Sequence, residues 1–440
     1  MRLTTLTIRT LAAIAALTCA GSSARAAPDP EVPAADPEDI LGEIVVTADT
    51  SARPLLLPKI GVELRSSGPE ADEVDAVLRR DLDLSGEFVV LARDAAPPPE
   101  TADAPLDRAA WRAAGAATVV RLRTAAVDGD AVELSAEVYL CDDAGPPIFT
   151  SARPIPRPRL RAATHALVDA ILRSLTGYSG PFVSALTFVR AEGGARIVYT
   201  IDPDGHGLRA ISTAEQLALA PALGPGDVLH YAASVNHGRQ RLYRAGVAEP
   251  LAVEPRGSIH GLAFSPDRAR VALSIATDDG VQLFTGDAEL KELTPQTRLM
   301  LALHPAFSPS GHLAYAGTRG KLQRVYVDKR PVSPPGISAS SPTFCRHPDG
   351  TKLVYSVGVR QNADLIVADE RGRDPVRLTR GRGRNSAPAC SPDGRLIAFF
   401  STRKSGDGPG LYLMRVDGRR PRKIADVLGD SLQWARVQPD

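Results

Sequence analysis

Along the second half of the chain, short apolar runs end in a proline-centred tetrapeptide and are followed by runs in which apolar and polar residues alternate. Gly261-Leu262-Ala263-Phe264 leads into Ser265-Pro266-Asp267 and then Arg270-Val271-Ala272-Leu273-Ser274, and the same order returns around Pro309, Pro348 and Pro392. Proline at the second position of a turn presets φ, Asp or Ser tolerates the third, and Gly accepts the dihedrals at the end. Each unit is therefore predicted to be a hairpin. The prolines stand 43, 39 and 44 residues apart, with a weaker copy at Pro225 lying 41 residues before Pro266. That period belongs to four-stranded propeller blades. In the unit at Pro266, Arg268 stands where the others favour Gly, so this turn should differ slightly.

Grouping strands by this period gives six blades, at residues 184–211, 215–254, 258–294, 300–333, 337–379 and 385–425. The first lacks an innermost strand, and the strand-like residues 431–437 supply it. The ring is thus expected to close by joining the two ends of the domain, which removes exposed strand edges. Loops leading into the innermost strands, at 255–260, 301–304, 337–341 and 380–386, gather at one mouth of the central channel, where side chains vary freely.

The first half reads differently. Residues 55–64 and 88–91 are strand-like, and residues 70–84 place Val74, Val77, Leu78 and Leu82 at helical spacing. A short helix around Trp111, strands at 118–123 and 131–140, and a helix at 160–175 closed by Gly177 complete the unit. Helices segregated around a small sheet indicate a compact α/β domain. The expected fold class is a small N-terminal α/β domain (54–180) followed by an all-β six-bladed propeller (181–440) closed by a C-terminal strand.

Composition changes little: 440 residues, 43% hydrophobic and 23% charged, with a formal net charge of +1, are ordinary for globular domains and give no general electrostatic case for nucleic acid. The ends say more. Arg2 and Arg9, the apolar run 11–17 and the small residues up to Ala27 read as a secretory leader (1–27), and no later run is apolar enough to span a membrane. Cys19 follows Ala16-Leu17-Thr18, a poor lipobox. Residues 28–42 form an acidic, proline-rich linker, and 43–53 a β-prone segment able to add to another protein's sheet edge. Beyond the leader stand Cys141, Cys345 and Cys390, so at least one thiol is free. Cys345 and Cys390 are offset by one position relative to their prolines, hence expected on opposite strand faces as buried free thiols.

No catalytic constellation emerges. Gly177-Tyr178-Ser179-Gly180 is broken by Pro181 and is not a nucleophile elbow. His165, on a helix among apolar residues, reads as a packed or capping side chain. His260 and His304 stand four and three residues before Phe264 and Phe307, so their side chains are expected on opposite faces, without a metal site. Arg380, Arg382 and Arg384 alternate with glycines in one loop, either a solvated basic loop or a device that steers an acidic partner.

Three segments carry a resemblance. Val77-Leu78-Arg79-Arg80-Asp81-Leu82-Asp83-Leu84-Ser85-Gly86-Glu87-Phe88, Trp111-Arg112-Ala113-Ala114-Gly115-Ala116, and the helix from Leu160 running into Leu175-Thr176-Gly177-Tyr178-Ser179-Gly180-Pro181-Phe182 resemble the TolB family, periplasmic components of the Tol-Pal system. The resemblance covers the chain from about residue 43 onward. It implies a non-enzymatic periplasmic interaction protein without cofactors, which links inner-membrane Tol proteins to the Pal lipoprotein for outer-membrane integrity and constriction during division. By repeat position it implies Pal contacts at Ser258, His260, Ser340, Asn385 and Ser386. It implies a TolA contact at Glu43, Ile44, Val45 and Val46, a stretch also similar to the Ton box of outer-membrane proteins. The competing class is a propeller enzyme, a metal-dependent lyase or a peptidase-associated propeller, which would need a polar or metal cluster in the channel.

Overall fold

The computed structural model describes residues 56–97, 104–127 and 129–435, all within one compact unit. The leader, the linker, Cys19 and the segment bearing Glu43, Ile44, Val45 and Val46 lie outside the described residues. None of the described helices is long and apolar enough to cross a membrane.

The first domain is a five-stranded sheet. In chain order it contains β1 (Lys59–Leu64), α1 (Pro69–Leu84), β2 (Val89–Val90), α2 (Arg108–Ala113), β3 (Thr118–Val127), β4 (Ala131–Leu140), β5 (Phe149–Pro156) and α3 (Leu160–Thr176). The sheet order is β2-β1-β3-β4-β5, parallel across β2, β1 and β3 and antiparallel beyond. α1 starts with Pro69, whose missing N–H costs nothing at a helix start. It buries Val74, Leu78 and Leu82 in one apolar cluster with the sheet and α3, and Val77 is buried as well. α3 ends at Gly177, which takes the left-handed cap at φ 80°. On the opposite face the Trp111 ring lies on Gly61, where even a Cβ would come within 2.3 Å of it. The sequence reading missed β5. Its Arg153-Pro154-Ile155-Pro156 looks unlike a strand, and the prolines are tolerated because β5 is a sheet edge.

The second domain is a ring of six blades. Its innermost strands are Gln216–Leu223, Ile259–Phe264, Leu301–Phe307, Ala339–His347, Asn385–Cys390 and Asp430–Ala435, each packed on the next until the last meets the first. Asp430–Ala435 pairs antiparallel with Ala185–Glu192 and becomes the missing inner strand of blade 1. Its Trp434, 8% exposed, donates its indole N–H to Ser184 Oγ at 2.7 Å. At the turn after the blade 3 inner strand, Arg268 takes a left-handed φ of 60°. The corresponding turns of blades 4 and 6 use Gly311 and Gly394.

The two cysteines expected as free thiols are instead a disulfide between blades 5 and 6, with Cα atoms 5.1 Å apart. Aligning on the prolines misled, because Pro348 lies one residue further along its turn than Pro392. Aligned on the ladders, Cys345 faces Lys352 and Cys390 faces Ile397, seven residues on in both cases. They therefore occupy the same level of neighbouring inner strands. Cys141 is the buried free thiol among the described residues.

The domains meet where blades 6 and 1 adjoin. Leu84, Phe88, Leu172 and Phe182 belong to one apolar cluster with Phe188, Leu396, Phe400 and Trp434. Around it, Asp83 takes Arg420 at 2.9 Å and Arg422 at 3.1 Å, and Glu87 takes Arg395 at 2.6 Å as well as Arg415. Gly205, at φ 92° in the blade 1 turn, lies so close to the Ile424 carbonyl that a Cβ would fall 2.0 Å from its oxygen.

Because Trp434 fills the joint between the two ends of the ring, Trp434→Ala is expected to destabilise the protein by about 3–5 kcal/mol in urea denaturation. A loss below about 1 kcal/mol, the size of an ordinary surface effect, would show that ring closure does not depend on it.

Candidate functional site

The channel has a volume of about 800 Å³, and one structural device recurs around it. Every innermost strand carries a β-bulge, at Ala220, His260, His304, Ser341, Ala387 and Ser431 in turn. Five of these six are left-handed, with φ between 49° and 53°, His260 being the exception. Four are followed by proline, at 221, 305, 342 and 388. Proline cannot donate to a ladder, so the strand breaks pairing there and bends. All six bulge residues line the channel.

This overturns the expectation that His260 and His304 face opposite ways. Both are bulge residues, and both line the channel. Simple alternation of faces fails wherever a strand carries an extra residue. Burial lowers the His260 pKa, favouring a neutral ring that can accept a hydrogen bond. The Ala-Pro, His-Pro and Ser-Pro pairs were the signal that the sequence reading passed over.

The other partner-contact candidates are distributed unevenly. Ser258, His260, Ser340 and Ser386 are half-buried, at or just ahead of the bulges. Ser258 Oγ accepts from the Gln240 N–H at 3.4 Å. Asn385 is wholly buried, and its polar atoms are spent internally. Its amide donates to the Ala363 carbonyl at 3.1 Å, its Oδ1 accepts from Ser401 Oγ at 2.8 Å, and its carbonyl accepts from Ser356 Oγ at 2.9 Å. Asn385 thus ties the start of its strand to blade 5 and to the next strand of its own blade.

Arg380, Arg382 and Arg384 are exposed and form no ion pair with any described residue. Their loop is held at its base. Asp364, fully buried, pairs with Arg377 at an Nε–Oδ2 distance of 3.0 Å, accepts from Thr379 Oγ1 at 2.9 Å, and accepts from the Gly381 N–H at 3.3 Å. Below the loop, Arg403 donates to Ser401 Oγ at 2.8 Å and lies 4.1 Å over the Tyr412 ring. Three exposed cations therefore stand on a loop that is held firmly at its base. This geometry suits capture of an acidic surface; it offers no nucleophile with an adjacent base. One set of potential metal donors, Asp81, His165 and Asp204, comes together within 4.8 Å among the described residues. None of the three lines the channel, and Asp204 is already paired with Arg161.

Residues 43–142 match the family model of the TolB amino-terminal domain. The chain is 30% identical over 156 residues to the Tol-Pal system protein TolB of Geobacter sulfurreducens, a match covering 35% of this chain and 36% of that relative. It is 34% identical over 97 residues to the uncharacterized peptidase YuxL of Bacillus subtilis, covering 21% of this chain but 14% of that protein. These matches thus span about a third or less of the relatives' lengths. In three dimensions it is similar to TolB from Acinetobacter baumannii, with a TM-score of 0.71 and 20% identity over 87% of this chain and 97% of that one. That likeness bears on fold: an N-terminal domain followed by a propeller.

Since Asp364 neutralises Arg377 and anchors the loop in a dry site, Asp364→Ala is expected to cost about 3–5 kcal/mol in urea unfolding. Arg382→Gln, on the exposed loop, should cost under about 0.5 kcal/mol. Equal effects would place the two residues in one environment and refute the anchoring of the loop.

Proposed function

Because the chain belongs to the TolB family, we propose that it is a periplasmic binding component of a Tol-Pal system, with no catalytic step of its own. In this reading it links inner-membrane Tol proteins to the Pal lipoprotein, for outer-membrane integrity and constriction during division. The observation that carries it is the TolB amino-terminal domain match at residues 43–142 in a chain that continues into a closed propeller. In this reading the exposed Arg380, Arg382 and Arg384 belong to the partner-facing side of that propeller.

The two partners are assigned to different stretches of the sequence. Residues 43–46, Glu-Ile-Val-Val, are the strand that TolA takes up by addition to a sheet edge, where main-chain bonds supply affinity and alternate side chains supply selection. Pal meets the mouth through Ser258, His260, Ser340 and Ser386, while Asn385 contributes by holding the rim. Arg380, Arg382 and Arg384 raise the encounter rate with an acidic partner, since uncompensated surface charge acts on association more than on final affinity. Any coupling between the two binding events is reciprocal: whatever factor Pal applies to TolA affinity, TolA applies to Pal affinity.

Deleting residues 28–46 should abolish capture of TolA and leave Pal capture intact; TolA retained by the shortened chain would falsify the strand assignment. Replacing Arg380, Arg382 and Arg384 together by Gln should slow association with Pal about tenfold at low salt and remove most of its salt dependence, with little change in dissociation. Stopped-flow measurement at two ionic strengths decides this, and an unchanged association rate ends the steering role.

A further inference from the structure

The cavity of about 800 Å³ takes up the half of the channel that leads to the proline-centred turns. Its lining begins at the bulges and continues toward those turns, from His260 to Arg268 in blade 3 and from Ser341 to Arg346 in blade 5, whereas Ser258, Ser340 and Ser386, ahead of the bulges, do not line it. Its charge is one-sided. Arg209 of blade 1, Arg268 of blade 3 and Arg346 of blade 5 line it, against one acidic residue among the described ones, Asp227 of blade 2. Arg209 and Arg346 are exposed and form no ion pair with any described residue. Arg268 has Asp227 no nearer than 3.8 Å, and burial lowers its pKa more than Asp227 restores it. A guanidinium so placed has given up part of its water without gaining a close carboxylate, and a second anion would supply the missing bonds.

Arg268 also departs from its repeat. Its φ of 60° is left-handed, a conformation for which the turns of blades 4 and 6 use Gly311 and Gly394, and which a Cβ makes unfavourable. Asp227, its distant partner, is left-handed too, at φ 55°. Glycine would serve the blade 3 turn better, so a strained arginine at a cavity wall points to a ligand rather than to the turn. The wall around it is aromatic. Phe264 is buried, Phe307 and Phe344 are half-buried, and all three line the cavity. The Arg270 guanidinium lies 5.1 Å from the centroid of the Phe307 ring, placing a further cation beside the lining. At the bulge level stand His260 and His304, whose pKa values burial lowers, so each is a neutral ring with one N–H to donate.

We propose that this turn-side half of the channel binds a small polyanion, a ligand with two or more carboxylate or phosphate groups, through Arg209, Arg268 and Arg346. The volume is that of a small-molecule site, and an apolar wall carrying a few charged groups is the usual make-up of one. A guanidinium donates two parallel N–H bonds to a carboxylate or a phosphate alike, which makes arginine the fitting residue for either. Because the three arginines come from three different blades, a ligand with several anionic groups engages more of them than one with a single charge. Apart from His260, the surface assigned to Pal lies ahead of the bulges, toward the other end of the inner strands. The polyanion site therefore stands or falls independently of that assignment.

The test is calorimetric titration of the full chain with citrate, with inorganic pyrophosphate and with acetate as the single-charge control, all at one ionic strength. Citrate or pyrophosphate should bind saturably, one per chain, and about tenfold or more tighter than acetate; whichever of the two binds tighter identifies carboxylate or phosphate as the natural chemistry. Arg268→Gly and Arg346→Gln should each weaken that binding about tenfold or more, while Arg382→Gln, on the 380–384 loop, leaves it unchanged. Arg268→Gly should also keep or raise the urea midpoint, since it restores the residue that the turn prefers; Arg346→Gln, at an exposed position, decides the matter if Arg268→Gly does not fold. The proposal is overturned if neither polyanion binds more tightly than acetate, if both cavity variants bind as the parent does, or if Arg382→Gln weakens binding equally. It is also overturned if deleting the acidic residues 28–42 tightens binding about tenfold, which would make the chain's own linker the occupant.

Discussion

The pairing of Asp430–Ala435 with Ala185–Glu192 is the constraint on which the rest of the molecule depends. A propeller is a set of sheets that cannot bury their inner edges until the last blade meets the first. Here the meeting is made by strands about 240 residues apart, and Trp434 fills the joint. The channel, its ring of bulges and the position of the mouth all presuppose that closure. So does the N-terminal domain, whose apolar underside packs on the blades that closure brings together.

Much of this architecture was legible because it rests on local chemistry. Pro-Asp-Gly turns announce hairpins wherever they occur, and their period counted the blades; the helical spacing of Val74, Val77, Leu78 and Leu82 placed α1. What escaped the sequence reading was whatever departs from strict alternation. One extra residue in a strand reverses which way the next side chains face, so His260 and His304 were separated on paper and share the channel in the structure. The same one-residue arithmetic, applied to turns of unequal length, split Cys345 from Cys390. The burial of Asn385 escaped for another reason. Its position in the repeat is at the rim, but burial there is set by the neighbouring blade, which no single repeat encodes.

The candidate site divides along similar lines. The arginines of the 380–384 loop were visible as a charge pattern, whereas the base that holds them was not. Asp364, Arg377 and Thr379 sit apart from them in sequence and look like unremarkable strand residues until the fold brings them under Gly381. The cluster of Asp81, His165 and Asp204 is a still more distributed feature: its members are separated by 84 and 39 residues and come together only when three elements meet. Sequence reasoning placed His165 among packed side chains, which it is, but could not supply its two carboxylate neighbours.

Ring closure by the final strand also governs how the chain reaches its fold. Blades 2 to 6 can form as their own hairpins emerge, since those contacts are local, but blade 1 must wait for the last residues, a contact of very high order whose chain entropy is spent late. Until then the inner edge of Ala185–Glu192 is an unpaired template for any passing strand. A chain lacking Asp430–Ala435 would therefore fail in a specific manner, as an assembled arc with one sticky edge, prone to pair with its own kind.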